Sequence, residues 1–218
     1  TGALWASTPK PLRLVYGVAS WLTVDAAACA AAQDPSADDA AAFRALCGQQ
    51  AAAAEQAQLT VVEGRDGWLF LPAELRHLGV GRFWGPEAAK VSRATDPAGA
   101  DPVPAIVDFH QQLAARGIEL LVVPVPAKAV VYPAGLGGTV TGRADTFHQQ
   151  FYEHLRRQGI EVLDLADDLL AARGAGPDLY CRHDTHWSGQ ACVLAARRIA
   201  ARVESASWRR GRPCPGRR

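Results

Sequence analysis

The sequence predicts an α/β fold, a layered domain with a parallel sheet and flanking helices. Two stretches carry that reading. Residues 101–117, "DPVPAIVDFHQQLAARG", read as a helix that stops at Gly117 and runs into the apolar stretch "IELLVVPVP". Residues 144–159, "ADTFHQQFYEHLRRQG", repeat the pattern, stopping at Gly159 before "IEVLDL". Glycine stops a helix because it enters the left-handed region at no steric cost. A nearly continuous apolar strand is the kind that a parallel sheet buries on both faces. Helix then strand, twice, implies right-handed crossovers and layered packing.

The remaining elements follow in order. Residues 34–58, "DPSADDAAAFRALCGQQAAAAEQAQ", form an Ala-rich helix for which Asp34 is the expected cap and Pro35 suits the first turn. In "LTVVEGRDGWLFLP" two short β-rich runs flank Arg65-Asp66-Gly67, and the Asp-Gly pair predicts a tight hairpin. Residues 188–204, "SGQACVLAARRIAARVE", read as a last helix with Ser188 as its cap. The chain then divides into an N-terminal arm (1–58), a domain (59–204) and a basic irregular tail (205–218).

The net charge of +1 includes five arginines within residues 209–218, so the body of the chain is mildly acidic. That argues against a nucleic-acid-binding surface. With no Met in the sequence, Thr1 is not expected to be the natural start. Lys10 and Arg13 precede "LVYGVASWLTV", an apolar run too short for a membrane span, which needs roughly 20 residues. Basic residues, an apolar run and the small residues Ala26–Ala28 have the layout of an export signal; the alternative is an element of the fold. The cysteines at 29, 47, 181, 192 and 214 have no metal-ligand spacing, and their pairing stays open.

The chemistry gathers in "YCRHDTHWSGQ", residues 180–190. Asp184 and His186 are two apart, so on an extended segment they point the same way. If they touch, Asp184 orients the imidazole and leaves Nε2 of His186 free to take a hydroxyl proton. Contact depends on local bending, which spacing does not settle. A polar loop with Asp184 on backbone amides and His186 on the surface is the bland alternative. A metal reading would use His183, Asp184 and His186 together. Ser188 is better placed to cap a helix than to attack, since a hydroxyl held by helix amides is not free.

Three ordered stretches, "GRDGWLFLPAEL" (64–75), "VVPVPAKAVVYP" (122–133) and "RHDTHWSGQA" (182–191), together resemble the alginate O-acetyltransferase family of AlgJ and AlgX type. The resemblance implies an SGNH-hydrolase-like domain, a flavodoxin-like layered parallel sheet with flanking helices. It implies that Asp184 and His186 are the acid and base of a Ser-His-Asp triad that acetylates hydroxyls of an exopolysaccharide in the bacterial periplasm. No cofactor or metal is implied. A membrane acyltransferase partner would deliver the acetyl donor, and the N-terminal segment would give the inner-membrane association. Lys128 matches a typical position, either structural or site-lining; Trp68 and Phe70 are expected in the core, and Trp187 behind the histidine. The family's serine lies in a Gly-Asp-Ser-like segment well downstream of Asp-x-His. No such segment is present here, and Ser205 and Ser207 lack that context. The expectation is a chain whose reading frame was lost near residue 205, with impaired catalysis. A non-catalytic polysaccharide-binding or assembly protein is the alternative.

Overall fold

Ser36 opens the first helix by accepting a hydrogen bond from the Asp39 amide at 3.1 Å. In this computed structural model the described residues are 36–205. The cap expected at Asp34, the export-like run, Cys29, Cys214 and the arginine tail therefore lie outside them. Helix α1 (Ala37–Gln56) turns Phe43, Cys47, Ala51 and Ala54 inward. It packs against α2 (Pro72–Gly79), where Gly48 and Gly79 let the two backbones meet, since a Cβ on Gly79 would stand 2.6 Å from the Cα of Gly48. Burying apolar surface there stabilises by about 25 cal/mol per Å². The inward residues of α1 lie in the same core cluster as those of α2 and the hairpin.

Between these helices runs the predicted hairpin. Strands β1 (Val62–Glu63) and β2 (Leu69–Phe70) pair antiparallel, with Val62 opposite Phe70. The turn needs two consecutive left-handed residues, Asp66 at φ 52° and Gly67 at φ 77°. Asp tolerates that region and Gly adopts it freely, which is why Asp-Gly marks this site. Trp68 and Phe70 enter the core as expected. The same cluster takes in Val130 and Val131, Leu169 and Tyr180, with Trp187 half-buried against it.

The helix–strand cycles also form. Helix α3 (Val103–Ala114) precedes β3 (Leu121–Val122), and α4 (Thr146–Arg157) precedes β4 (Glu161–Val162). The strands pair in parallel, Leu121 opposite Glu161. Gly117 and Gly159 are left-handed at 71° and 80°, as their stop positions require. Helix α5 (Ala166–Ala172) follows β4, and α6 (Gly189–Ser205) follows the loop that carries Asp184 and His186. A second cluster joins Trp84, Phe151, Tyr152, Leu155, Ile160 and Val162, with α3 lying on it through Val103, Ile106 and Val107.

One expectation changes. The strand after Gly117 was expected to be buried on both faces, yet Leu121 and Val122 are half-buried and Val125 is 54% exposed. Complete burial of a parallel strand needs neighbours on both edges and layers on both faces. Among the described residues β3 pairs only with β4.

Candidate active site

Residues 179–188 fold back on themselves. The Ser188 amide donates to the Leu179 carbonyl at 2.8 Å, the Cys181 amide to the His186 carbonyl at 2.9 Å, and Tyr180 and Trp187 form the bridge between. The apex is therefore a turn, not an extended segment. Asp184 and His186 meet because the chain bends: Nδ1 of His186 lies 2.8 Å from Oδ1 of Asp184. An ionised carboxylate only accepts, so Nδ1 carries the proton and Nε2 is left as the free acceptor. The same carboxyl accepts from the Thr185 and His186 amides. The hydrogen bond from His186, followed by these amides, holds the Asp184 carboxyl below the usual carboxylate range.

The pair is open to solvent, with side chains 77% (His186) and 56% (Asp184) exposed. The foundation beneath it is not. Tyr180 is buried and donates its hydroxyl to the Pro126 carbonyl. The Tyr132 hydroxyl accepts from the Leu179 amide at 2.7 Å, fixing the start of the loop. The Leu69 amide donates to the Arg182 carbonyl at 2.9 Å, tying the loop to the hairpin. Lys128, left undecided between two roles, is fully buried under the turn. Its ammonium donates to the carbonyls of Leu69, Cys181, Arg182 and Asp184 at 2.7–2.9 Å.

Ser188 sits where the sequence placed it, at the start of α6. Its Oγ accepts from the Ala191 amide at 3.5 Å and its carbonyl from the Cys192 amide at 3.0 Å. Nε2 of His186 has no hydroxyl partner among the described residues. His183 stands over the hairpin turn, its Nε2 3.2 Å from where a Cβ on Gly67 would lie. No three His, Cys, Asp or Glu side chains converge as metal ligands among the described residues, so His183, Asp184 and His186 do not form a metal site there. Cys47 is buried with its thiol pushed up to about 12 by desolvation, whereas Cys181 and Cys192 are exposed free thiols.

A cleft of about 460 Å³ opens elsewhere, between α2, the loop after β3 and α4, and neither Asp184 nor His186 lines it. Its walls include Glu74, His77, Phe83, His148 and Tyr152, a grouping that sequence reading missed. Nothing short-range signalled it, since His77 and His148 come together only when α2 meets α4. Their rings touch edge to face with centroids 4.6 Å apart.

Comparison with known proteins bears on the family and the fold. The family model described as ALGX, an SGNH hydrolase-like domain of the acetyltransferase AlgX, matches residues 61–213. The chain belongs to this family. Its fold is SGNH-hydrolase-like α/β, here with a small parallel sheet. The "Probable alginate O-acetylase AlgJ" of Pseudomonas aeruginosa PAO1 is 30% identical over 144 residues, which are 66% of this chain and 33% of that protein. The Azotobacter vinelandii protein of the same name is 29% identical over 148 residues, covering 66% and 34%. The chain thus spans about a third of the length of these curated relatives. The solved "O-Acetyltransferase Domain of Pseudomonas putida AlgJ" is 28% identical, with a TM-score of 0.50, covering 66% of this chain and 47% of that one. The three stretches that together suggested the family from sequence, 64–75, 122–133 and 182–191, lie inside the matched region. No helix among the described residues is long and apolar enough to cross a membrane.

Proposed function

We propose that this chain carries the acid–base half of an O-acetyltransferase acting on hydroxyls of an alginate-like exopolysaccharide. The observation that supports it most is the 2.8 Å contact between Nδ1 of His186 and Asp184, with Nε2 directed to solvent and unengaged. In the proposed reaction a serine hydroxyl gives its proton to Nε2 of His186 and attacks the acetyl carbonyl. Asp184 steadies the imidazolium, and backbone amides hold the oxyanion. The imidazolium returns that proton to the departing donor group as the acetyl-enzyme forms. A sugar hydroxyl then attacks the acetyl-enzyme, giving its proton to the freed Nε2, which passes it to the departing serine oxygen. Transfer outruns hydrolysis when the bound sugar displaces water.

Since Nε2 meets no hydroxyl among the described residues, the serine of this mechanism comes from outside residues 36–205. Activity of those residues alone is accordingly proposed to be impaired. The same observation favours the second reading, a polysaccharide-binding or assembly protein that keeps the family's shape without turnover. The setting we propose is the periplasm, with the acetyl donor supplied by a membrane acyltransferase partner.

The test compares p-nitrophenyl acetate hydrolysis by this chain and by His186→Ala, while the His186 resonances are followed as alginate oligosaccharide is added. Equal background rates with saturable shifts at His186 fit the acid–base half awaiting its serine. Turnover abolished by the substitution would place the nucleophile within this chain. An oligosaccharide that leaves the 181–188 loop untouched would reject the acceptor.

A further inference from the structure

Four carbonyl oxygens converge on one point beneath the Asp184–His186 turn, and the side chain that fills that point is Lys128. Three of them, from Cys181, Arg182 and Asp184, belong to the turn itself; the fourth, from Leu69, belongs to β2. We propose that Lys128 is the positioning residue of this site, its ammonium holding the turn in the shape that brings Asp184 onto His186.

Carbonyl oxygens pointing at a common centre repel one another unless a donor or cation sits among them. An ammonium offers three N–H donors, so four acceptors at 2.7–2.9 Å saturate it, one donor being shared. No water replaces it, because Lys128 has no exposed surface. The rings of Trp68 and Phe70 lie 4.8 Å and 5.3 Å from Nζ and present their electron-rich faces to the charge. The Glu74 carboxylate accepts from the Lys128 amide at 3.4 Å and supplies a counter-charge. A compact ammonium suits this pocket where a planar guanidinium would not, since the carbonyls approach from several directions.

The link to the site is direct. The carbonyl of Asp184 is one of the four, so Lys128 fixes the peptide plane of the residue whose carboxyl must reach His186. With the ammonium gone, the cheapest relief is rotation of the 181–184 peptide planes, which swings Asp184 Oδ1 away from Nδ1. Lys128 touches neither the His186 ring nor the Asp184 carboxylate; it acts through the backbone. The catalytic meaning rests on the acid–base reading above, while the positioning itself does not.

The test is nuclear magnetic resonance of the whole chain carrying Lys128→Met or Lys128→Gln, with Asp184→Ala as the reference for a His186 tautomer without its partner. The readouts are the tautomer of His186 and the titration of Asp184. In the parent chain Nδ1–H predominates and Asp184 titrates low. In the Lys128 variants the tautomer ratio is expected to move roughly tenfold toward Nε2–H, as when a charge-assisted hydrogen bond is lost, and Asp184 to titrate nearer its ordinary value. Folded variants in which both signals match the parent would overturn the proposal, leaving Lys128 a stabilising residue only. Should neither variant fold, the Lys128 ammonium signal of the parent chain decides. A slowly exchanging resonance correlated with the carbonyls of residues 181, 182 and 184 supports the proposal, and a freely exchanging one overturns it. None of these readouts involves ester turnover, so a failure of the acetyltransferase reading remains separable from a failure of this one.

Discussion

Around Lys128 the protein surrounds a buried base with four carbonyls and a carboxylate; around His148 it surrounds one with rings. Burial lowers the pKa of both. At Lys128 the charge of Glu74 is the largest force opposing that shift. His148 packs on His77, Phe83 and Tyr152, and burial with the neighbouring His77 takes it down to about 4. The difference lies in what offsets burial: acceptors, a carboxylate and ring faces oppose it at Lys128, whereas at His148 a neighbouring histidine adds to it. The first arrangement anchors a loop, and the second lines the cleft between α2 and α4.

The largest expected effect falls on the charged side. Lys128→Met should destabilise by about 3–5 kcal/mol in urea unfolding, because a buried partner set loses its cation. A near-neutral result would break the contrast. Next comes acid. His148 has its folded-state pKa depressed from 6.5 to about 4, so between those values the unfolded chain binds more protons. Stability therefore rises with pH across that window, is fully present above pH 6.5 and is lost toward pH 4. The shift corresponds to ~3 kcal/mol, and His77, lowered in the same direction, adds to it. His148→Phe should flatten the dependence of the urea midpoint between pH 4 and 6.5; a curve left unchanged would place the acid sensitivity elsewhere.

Two smaller effects sharpen the picture around the loop. Tyr132→Phe strands the Leu179 amide that its hydroxyl receives. We expect a loss of about 1–2 kcal/mol, with faster amide exchange at residues 179–188 and no change around His148. Ser188→Ala removes the cap of α6 and should cost about 0.5–1 kcal/mol in thermal unfolding. It should leave the Asp184–His186 contact intact, as the hydroxyl is engaged with the helix amide at residue 191.

Much of this was readable beforehand where the signal was local. Asp66-Gly67 marked the hairpin, Gly117 and Gly159 marked helix ends, and Ser188 marked a helix start, each through the backbone geometry its own side chain permits. The Asp-x-His motif was legible as a candidate, and with the two other motifs it pointed to the family. The half-exposed β3 was not legible, since an apolar run states what a strand would bury and not which neighbours it finds. Nor was the docking of α1 into the main core, because its Ala-rich face carries too little contrast to say which partner it meets.

From sequence alone came the α/β class, the elements in order, the acid–base candidates and the family they resemble. Tertiary structure alone decided that Asp184 and His186 touch, through a turn rather than the extended geometry their spacing suggested. It also assigned Lys128 its place, 56 residues from the carbonyl of Asp184 that it holds. Local elements follow from the dihedral preferences of neighbouring residues, which a sequence displays directly. The enclosure of a charge by carbonyls from distant segments depends on how those segments pack, and only the folded chain brings them to one point.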